Sequence, residues 1–154
     1  MLNVETLSEG SVTQQVNGRL VVETEGQGFT EITEAVSRWV FGTGVLNGLL
    51  TVFCRHTSAS LTVQENADPD VRQDLLAALD RLAPREAVYV HSAEGPDDMP
   101  AHIRTMLSGV SLGIPVVDGQ MVLGTWQGIY LVEHRALPHA RKIVLQFLGG
   151  TLKA

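Results

Sequence analysis

Cysteine is nearly absent from this sequence, which contains only Cys54 among its 154 residues. A single cysteine cannot form a disulfide within the chain, and this composition suits the reducing cytoplasm. The first residues, MLNVETLSEG, lack a basic start followed by an apolar run, so we expect no secretory signal. Both observations predict a cytoplasmic protein.

Basic clusters and long apolar runs are absent as well. The 11 Lys and Arg residues are outnumbered by 17 Asp and Glu residues, which gives a net charge of -6. Because nucleic-acid binding needs clustered cations, we expect no nucleic-acid partner. No apolar run approaches the roughly 20 residues of a membrane-spanning helix, so we expect no membrane partner. Length and the 44% apolar fraction predict one domain, residues 1–154, with a substantial core.

Turn residues divide the chain into short strands and about three helices. Asn17-Gly18 predicts a hairpin over residues 11–24, because both positions accept positive φ. Thr30 and Asp68 are expected to cap the first two helices. Asp118-Gly119 predicts a hairpin turn, and residues 87–91 read as a strand. Eight or more strands, mostly linked by hairpins, favour an α+β domain over a doubly wound sheet. The predicted fold is a mainly antiparallel, jelly-roll-like β-sandwich with about three helices.

The stretch Glu94–Arg104, EGPDDMPAHIR, brings carboxylates, a histidine and an arginine to a predicted helix start. Asp97 or Asp98 suits the cap, and Pro100 suits the first turn. Free amides and the helix dipole favour an anion at this end. The stretch therefore predicts a site for a phosphorylated ligand or a metal. Ordinary capping beside a surface histidine is the alternative.

A second polar stretch, His56-Thr57-Ser58, follows the apolar strand predicted at residues 49–54. Loops at strand ends often carry chemistry, and neutral imidazole is a good zinc ligand. A site assembled from His56, His102 and a carboxylate, Asp98 or Glu133, is therefore a hypothesis. A Ser-His-Asp triad is disfavoured because the chain has no Gly-x-Ser-x-Gly elbow.

A third feature is Trp126-Gln127, which lies between two glycines where a strand is interrupted. An indole and an amide in this position suit a flat ring whose edge accepts hydrogen bonds. A core tryptophan at a β-bulge explains the same pattern. The sequence leaves both interpretations open.

Three stretches in this order, HTSASLTVQENADPDV, EGPDDMPAHIR and LGTWQGIYLVEHR, resemble the motifs of the YjbQ-like family. The resemblance covers nearly the whole chain. It implies a β-sandwich-like α+β fold and a homotrimer. It also implies a secondary thiamine-phosphate synthase activity, which joins a hydroxymethylpyrimidine pyrophosphate to a thiazole phosphate and releases pyrophosphate. Another metal-dependent hydrolase or phosphate-transfer enzyme, or a non-catalytic trimer that binds a small phosphorylated or heterocyclic ligand, is the alternative.

The resemblance assigns roles to residues that match its motifs. The predicted catalytic residues are His56, Asp98, His102 and Glu133. The predicted substrate-binding residues are Thr57, Ser58, Asn66, Arg104, Thr125, Trp126 and Gln127. A divalent metal, Mg²⁺ or Zn²⁺, is expected on His56, Asp98 and His102. After Glu133 the chain departs from the family pattern, which leaves His134, Arg135 and His139 without an assigned role.

Overall fold

The computed structural model describes residues 1–151. In chain order the elements are β1 (Gln14–Thr24), β2 (Gly28–Glu31), α1 (Thr33–Gly42), β3 (Asn47–Cys54), β4 (Ala59–Glu65), α2 (Pro69–Leu82), α3 (Asp98–Ser108), β5 (Ser111–Val117), β6 (Gln120–Met121), β7 (Gln127–Glu133) and β8 (His139–Gly150). The strands form a five-stranded sheet, β1-β8-β3-β5-β6, and a three-stranded sheet, β2-β7-β4, with antiparallel pairing throughout. The predicted α+β sandwich with three helices is confirmed.

Both sheets and α1 contribute to one apolar core. Alternate residues of β3 and β8 point inward, which is the period of two expected of a half-buried strand. Strand β7 is buried at every position from Gly128 to Glu133, because it is the central strand of the smaller sheet. The largest fully buried apolar side chains are Leu50, Leu61, Ile129, Leu131, Ile143 and Phe147. Burying each of them contributes about 1.5–3 kcal/mol.

The hairpin predicted over residues 11–24 is wrong, because this stretch is one continuous strand. Strand β1 pairs with β8 from Gln14–Gly149 to Thr24–His139 without a turn. Gly18 lies against the indole of Trp39, where an added Cβ would be 2.6 Å from Cε2. The glycine therefore makes room for a core tryptophan. By contrast, Asp118-Gly119 is the predicted turn between β5 and β6, and both residues have positive φ, 50° and 74°.

Helix boundaries were predicted with mixed success. Asp68 caps α2 as predicted, accepting the N–H of Asp70 at 2.9 Å. Thr30 does not cap α1, since it lies in β2 and the helix begins at Thr33. Asp97 occupies the cap position of α3 but makes no side-chain cap hydrogen bond, because its carboxylate binds Arg135 instead.

The strand predicted at residues 87–91 is also wrong. Neither sheet includes this segment, which belongs to an irregular connection between α2 and α3. The side chains of Val88 and Val90 are fully exposed. The alternating apolar residues of this segment therefore form no strand, because no neighbouring strand pairs with them. Within residues 1–151 no helix has the length and apolar character needed to cross a membrane.

We predict that Gly18→Ala destabilises the fold by about 1–3 kcal/mol, the usual cost of overpacking a core. The new methyl group must displace Trp39, whose ring atoms lie 2.6–2.8 Å from the ideal Cβ position. Urea unfolding measures the effect. Gly113→Ala is the control, because its Cβ would meet only Leu49 Cδ1, at 3.7 Å. Equal stability of the two variants would contradict this role for Gly18.

Candidate metal centre

Two histidines and an aspartate converge beside the start of α3. The side chains of His91, Asp98 and His102 each offer one ligand atom, and these atoms all lie within 4.8 Å of one another. Nε2 of His91 is 2.6 Å from Asp98 Oδ2, and Nε2 of His102 is 3.1 Å from the same oxygen. Tetrahedral zinc at about 2.0–2.2 Å from each ligand separates ligand atoms by about 3.3 Å. The cluster therefore fits a small divalent ion after slight side-chain adjustment.

The helix itself supplies two of the three side chains. Asp98 and His102 are four residues apart in α3, so they lie on the same face. His91 comes from the irregular connection that precedes the helix. Asp98 is buried, whereas the His91 side chain is 46% exposed, so the cluster opens to solvent on the His91 side.

A backbone carbonyl fixes the orientation of His102. Its Nδ1 lies 2.9 Å from the Thr57 carbonyl oxygen, which can only accept a hydrogen bond. Nδ1 therefore donates, and Nε2 is the ring nitrogen that faces Asp98. Metal-binding histidines are commonly oriented in this way. Thr57, predicted to bind substrate, thus supports the cluster through its backbone.

Asp98 is held in its ionised form. Burial by itself would raise the pKa of this carboxyl group, but a hydrogen bond from His91 and the charges of His102 and Arg135 outweigh burial. The net result is a pKa below the ordinary value. Arg135 Nη1 donates to Asp98 Oδ1 at 2.8 Å, and Arg135 Nε donates to Asp97 Oδ2 at 3.0 Å. A fixed carboxylate is therefore available to an ion.

His56 lies outside the three-residue cluster, although it was expected to be a metal ligand with Asp98 and His102. Its Nε2 accepts the backbone N–H of Lys142 at 2.7 Å, and burial lowers its pKa. Within the described residues, His91 and not His56 completes the three-residue cluster with Asp98 and His102. His56 and His102 instead share a largely apolar cavity of about 600 Å³. Its lining residues are Phe53, Cys54, Arg55, His56, Thr57, His102, Thr105, Met106 and Val110.

Glu133, expected to be catalytic, belongs to a buried polar network. Arg141 Nε donates to Glu133 Oε2 at 2.7 Å, and the Thr24 hydroxyl donates to the same oxygen at 2.8 Å. Burial would raise the pKa of Glu133, but the hydrogen bonds from Arg141, Arg135 N–H and Thr24 lower it overall. Ser58 joins the network, since Arg141 Nη2 also contacts its hydroxyl at 3.0 Å. These groups are hydrogen-bonded to one another, so Glu133 is not a ligand atom donor of the three-residue cluster.

Arg104 is also committed to the protein interior. Its guanidinium contacts Asp80 Oδ1 at 2.9 Å and donates to the Ala83 carbonyl at 2.8 Å, which joins α3 to the end of α2. The side chain is 1% exposed. The predicted substrate role of Arg104 has no support in this placement.

The remaining predicted substrate residues lie at the opposite end of the smaller sheet. Strands β4 and β7 pair from Ala59–Glu133 to Glu65–Gln127, six residues apart and so about 20 Å at 3.4 Å per residue. The Asn66 N–H donates to the Trp126 carbonyl at 3.0 Å, and Gln127 Oε1 accepts the Gly124 N–H at 2.8 Å. Thr125 immediately precedes Trp126. The indole is not a core side chain, since Trp126 is 62% exposed.

Sequence reasoning missed His91 and Arg135. His91 was assigned to a strand, and Arg135 lies where the chain departs from the family pattern. The spacing His91, Asp98, His102 was visible, since it places an i, i+4 pair one short loop after another histidine. Nothing local indicated that Arg135, 37 residues beyond Asp98, would reach the same carboxylate.

Comparison with known proteins shows the family to which this chain belongs. A sequence profile described as UPF0047 protein YjbQ-like matches residues 18–150. The chain belongs to the YjbQ-like family. It is 46% identical over 144 residues to the UPF0047 protein sll1880 of Synechocystis sp., covering 93% of this chain and 98% of the relative. It is 44% identical over 131 residues to the UPF0047 protein YjbQ of Salmonella typhimurium, covering 84% and 95%.

Two solved structures share the fold. A crystal structure of an uncharacterized conserved protein of the YjbQ/UPF0047 family from Clostridium acetobutylicum matches with a TM-score of 0.78 at 40% identity, covering 84% of this chain and 98% of that chain. The hypothetical protein APE1520 from Aeropyrum pernix matches with a TM-score of 0.81 at 33% identity, covering 87% and 98%. The YjbQ-like fold therefore extends over most of the described chain.

His134 makes a separate prediction about pH. It is fully buried with Nε2 2.8 Å from the Ser60 hydroxyl, and burial lowers its pKa from 6.5 to about 4. The unfolded chain binds this proton below pH 6.5 and the folded chain only near pH 4. Stability therefore falls as pH decreases through this window, by up to about 3 kcal/mol. The lowered pKa values of Asp97, Asp98 and Glu133 place their own losses at lower pH.

We predict that His134→Gln, which keeps a group able to bond Ser60, flattens the loss of stability between pH 6.5 and 4.5. Urea unfolding at several pH values measures it. His139→Gln is the control, because His139 is a partly exposed residue at the start of β8 whose ring contacts the Leu137 carbonyl. An unchanged pH profile in His134→Gln would show that this histidine does not cause the acid loss.

Proposed function

We propose that this YjbQ-like protein is a divalent-metal-dependent enzyme whose ion is held by His91, Asp98 and His102. The observation that carries the proposal is the convergence of three ligand atoms, with His102 oriented by the Thr57 carbonyl. Two imidazoles and one carboxylate suit zinc better than Mg²⁺, which prefers an octahedron of oxygen ligands. Three protein ligands leave one position of a tetrahedral ion for water or substrate.

The residues around the cluster define what the site does. A divalent ion bound there supplies Lewis acidity towards a phosphoryl oxygen and a lowered pKa for a bound water. Asp98 offers one oxygen, Oδ2, while Arg135 holds the other. The Thr57 carbonyl accepts from His102 Nδ1, so Nε2 is the ring nitrogen directed at the ion site. The exposed side of His91 is the direction from which a substrate reaches the ion.

The neighbouring cavity supports a substrate with an apolar ring. His102 is both a ligand of the cluster and part of the cavity wall, so one molecule can occupy both places. Phe53, Met106 and Val110 supply apolar surface for a ring, while a phosphate group reaches the ion. The thiamine-phosphate-synthase type of coupling is therefore the reaction we propose. Hydrolysis or phosphate transfer on a related substrate uses the same ligands and is the second candidate.

Departing pyrophosphate carries negative charge that a cation must balance, and Arg55 is the arginine that lines the cavity. Arg104 is buried against Asp80, and Arg135 is paired with Asp97 and Asp98. A divalent ion held by His91, Asp98 and His102, with Arg55 and not these two arginines, would balance the negative charge. Activity should accordingly depend on the ion throughout the reaction.

We predict one zinc ion per chain in protein purified without chelator and incubated with Zn²⁺. His91→Ala, Asp98→Asn and His102→Ala should each lower zinc affinity by at least about 100-fold, because each removes a direct ligand. His56→Ala should bind zinc like the wild type, since its Nε2 accepts the Lys142 N–H. Equilibrium dialysis with elemental analysis measures the stoichiometry. Zinc lost only in His56→Ala would contradict the assigned ligands.

We predict that the zinc-loaded protein forms thiamine phosphate and pyrophosphate from hydroxymethylpyrimidine pyrophosphate and thiazole phosphate, and that His91→Ala does not. Chromatography of the products separates coupling from simple hydrolysis of the pyrophosphate. Hydrolysis alone, lost in the same variant, favours the second candidate. Tight binding of either substrate without turnover in the metal-loaded protein would exclude an enzyme for these substrates and favour a binding protein.

We also propose that the protein forms a homotrimer, as its family resemblance implies. The outer face of the five-stranded sheet supports self-association, since Leu49, Phe53 and Leu148 are 36–46% exposed there. A trimer of 16.7 kDa chains has a mass of about 50 kDa in light scattering. Leu49→Glu should lower this mass, whereas Leu82→Glu on exposed α2 should not. A monomeric wild type would contradict the proposal.

A further inference from the structure

Arg135 links the cluster to the connection that precedes α3. Its Nη1 donates to Asp98 Oδ1 at 2.8 Å, its Nε to Asp97 Oδ2 at 3.0 Å, and its Nη2 to the Glu94 carbonyl at 3.0 Å. The side chain is only 16% exposed. One planar guanidinium therefore holds three points on the segment from Glu94 to Asp98, which begins three residues after His91.

Arg135 is itself anchored to the core. Its backbone N–H donates to Glu133 Oε1 at 3.0 Å, and Glu133 is paired with Arg141 inside the sandwich. The next residue strengthens the attachment, since the Ala136 N–H donates to Asp97 Oδ2 at 2.8 Å. Attachment to the end of β7 thus fixes the position of the guanidinium. A side chain on the free surface would not be held in this way.

The contacts divide the two oxygens of Asp98 between different partners. Oδ1 accepts from Arg135, and Oδ2 faces both histidines. An ion bound beside the histidines meets one carboxylate oxygen and not two. Zinc in a four-coordinate site accepts a single oxygen, whereas larger ions with six or more ligands gain from a carboxylate that binds through both.

We propose that Arg135 is a positioning residue that sets the metal selectivity of this site. It restricts Asp98 to one ligand oxygen and fixes the segment that carries His91, which favours a small four-coordinate ion over a larger one. The inference rests on the proposed metal site at His91, Asp98 and His102. It adds a determinant of which ion that site selects.

Selectivity separates this role from a general structural or electrostatic one. Removing the positive charge of Arg135 strengthens the attraction of every divalent cation to a similar extent. The ratio of Zn²⁺ to Mn²⁺ affinity cancels that common contribution, because both ions carry the same charge. A change in the ratio therefore reports the coordination that Asp98 can offer.

The experiment compares wild type, Arg135→Met and Arg135→Lys. Zn²⁺ affinity is measured by competition with a chromophoric chelator, and Mn²⁺ affinity by electron paramagnetic resonance of the free ion. Loss of a residue that orients metal ligands typically costs about 10–100-fold in affinity. We expect the Zn²⁺ to Mn²⁺ ratio to fall about tenfold in both variants, since Lys keeps the charge but not the planar fork. Arg38→Met, which removes an exposed arginine of α1, is the control and should keep the wild-type ratio.

The outcomes distinguish this inference from the function on which it rests. A wild type that binds no Zn²⁺ overturns the metal site and this inference together. A wild type that binds Zn²⁺, with the same ratio in both folded Arg135 variants, overturns the inference alone. Restoration of the wild-type ratio by Lys would show that a single ammonium donor holds Asp98 as well as the planar fork does, and would also overturn it. Circular dichroism establishes that each variant is folded.

Discussion

A buried ion pair between Glu133 and Arg141 joins the two sheets at the end where the candidate metal centre lies. Glu133 ends β7 of the smaller sheet, and Arg141 lies in β8 of the larger one. The Thr24 hydroxyl and the Ser58 backbone complete the hydrogen bonding, so neither charge is left unpaired. Breaking a buried pair by removing one partner typically costs about 3–5 kcal/mol. The relative placement of β1, the β3–β4 turn and β7 depends on this contact.

From this pair continuous hydrogen bonds extend outward to the proposed metal ligands. Glu133 accepts the Arg135 N–H, and the Arg135 guanidinium holds Asp98, whose second oxygen meets the two histidines. On the other side, the Thr57 carbonyl orients His102 from the turn that also contains Ser58. Residues such as Glu133, Ser58 and Thr57 thus act in this account as supports for ligands. A site that is supported by packed strand ends holds its geometry better than one that is supported by a free loop.

The sequence predicted what depends on near neighbours in the chain. Asp118-Gly119 and Asp68 determine a turn and a helix start by local backbone chemistry, and Asp98 and His102 share a face by helical spacing. The turn predicted at Gly18 was wrong because Trp39, which is distant in sequence, occupies the space that a side chain at position 18 would need. His91 was missed for a similar reason, since only the folded connection brings it to Asp98. The residues around Trp126 matched one family motif, yet the strand register places them at the opposite end of the smaller sheet, about 20 Å from Glu133.

The most direct test of the account is a crystal structure of the zinc-loaded protein with diffraction data on both sides of the zinc absorption edge. The account predicts one anomalous peak about 2.0–2.2 Å from Nε2 of His91, Nε2 of His102 and one oxygen of Asp98. It also predicts that the other Asp98 oxygen still accepts from Arg135. A peak on His56, or no peak in protein saturated with zinc, would contradict the central claim that these three residues form a metal centre.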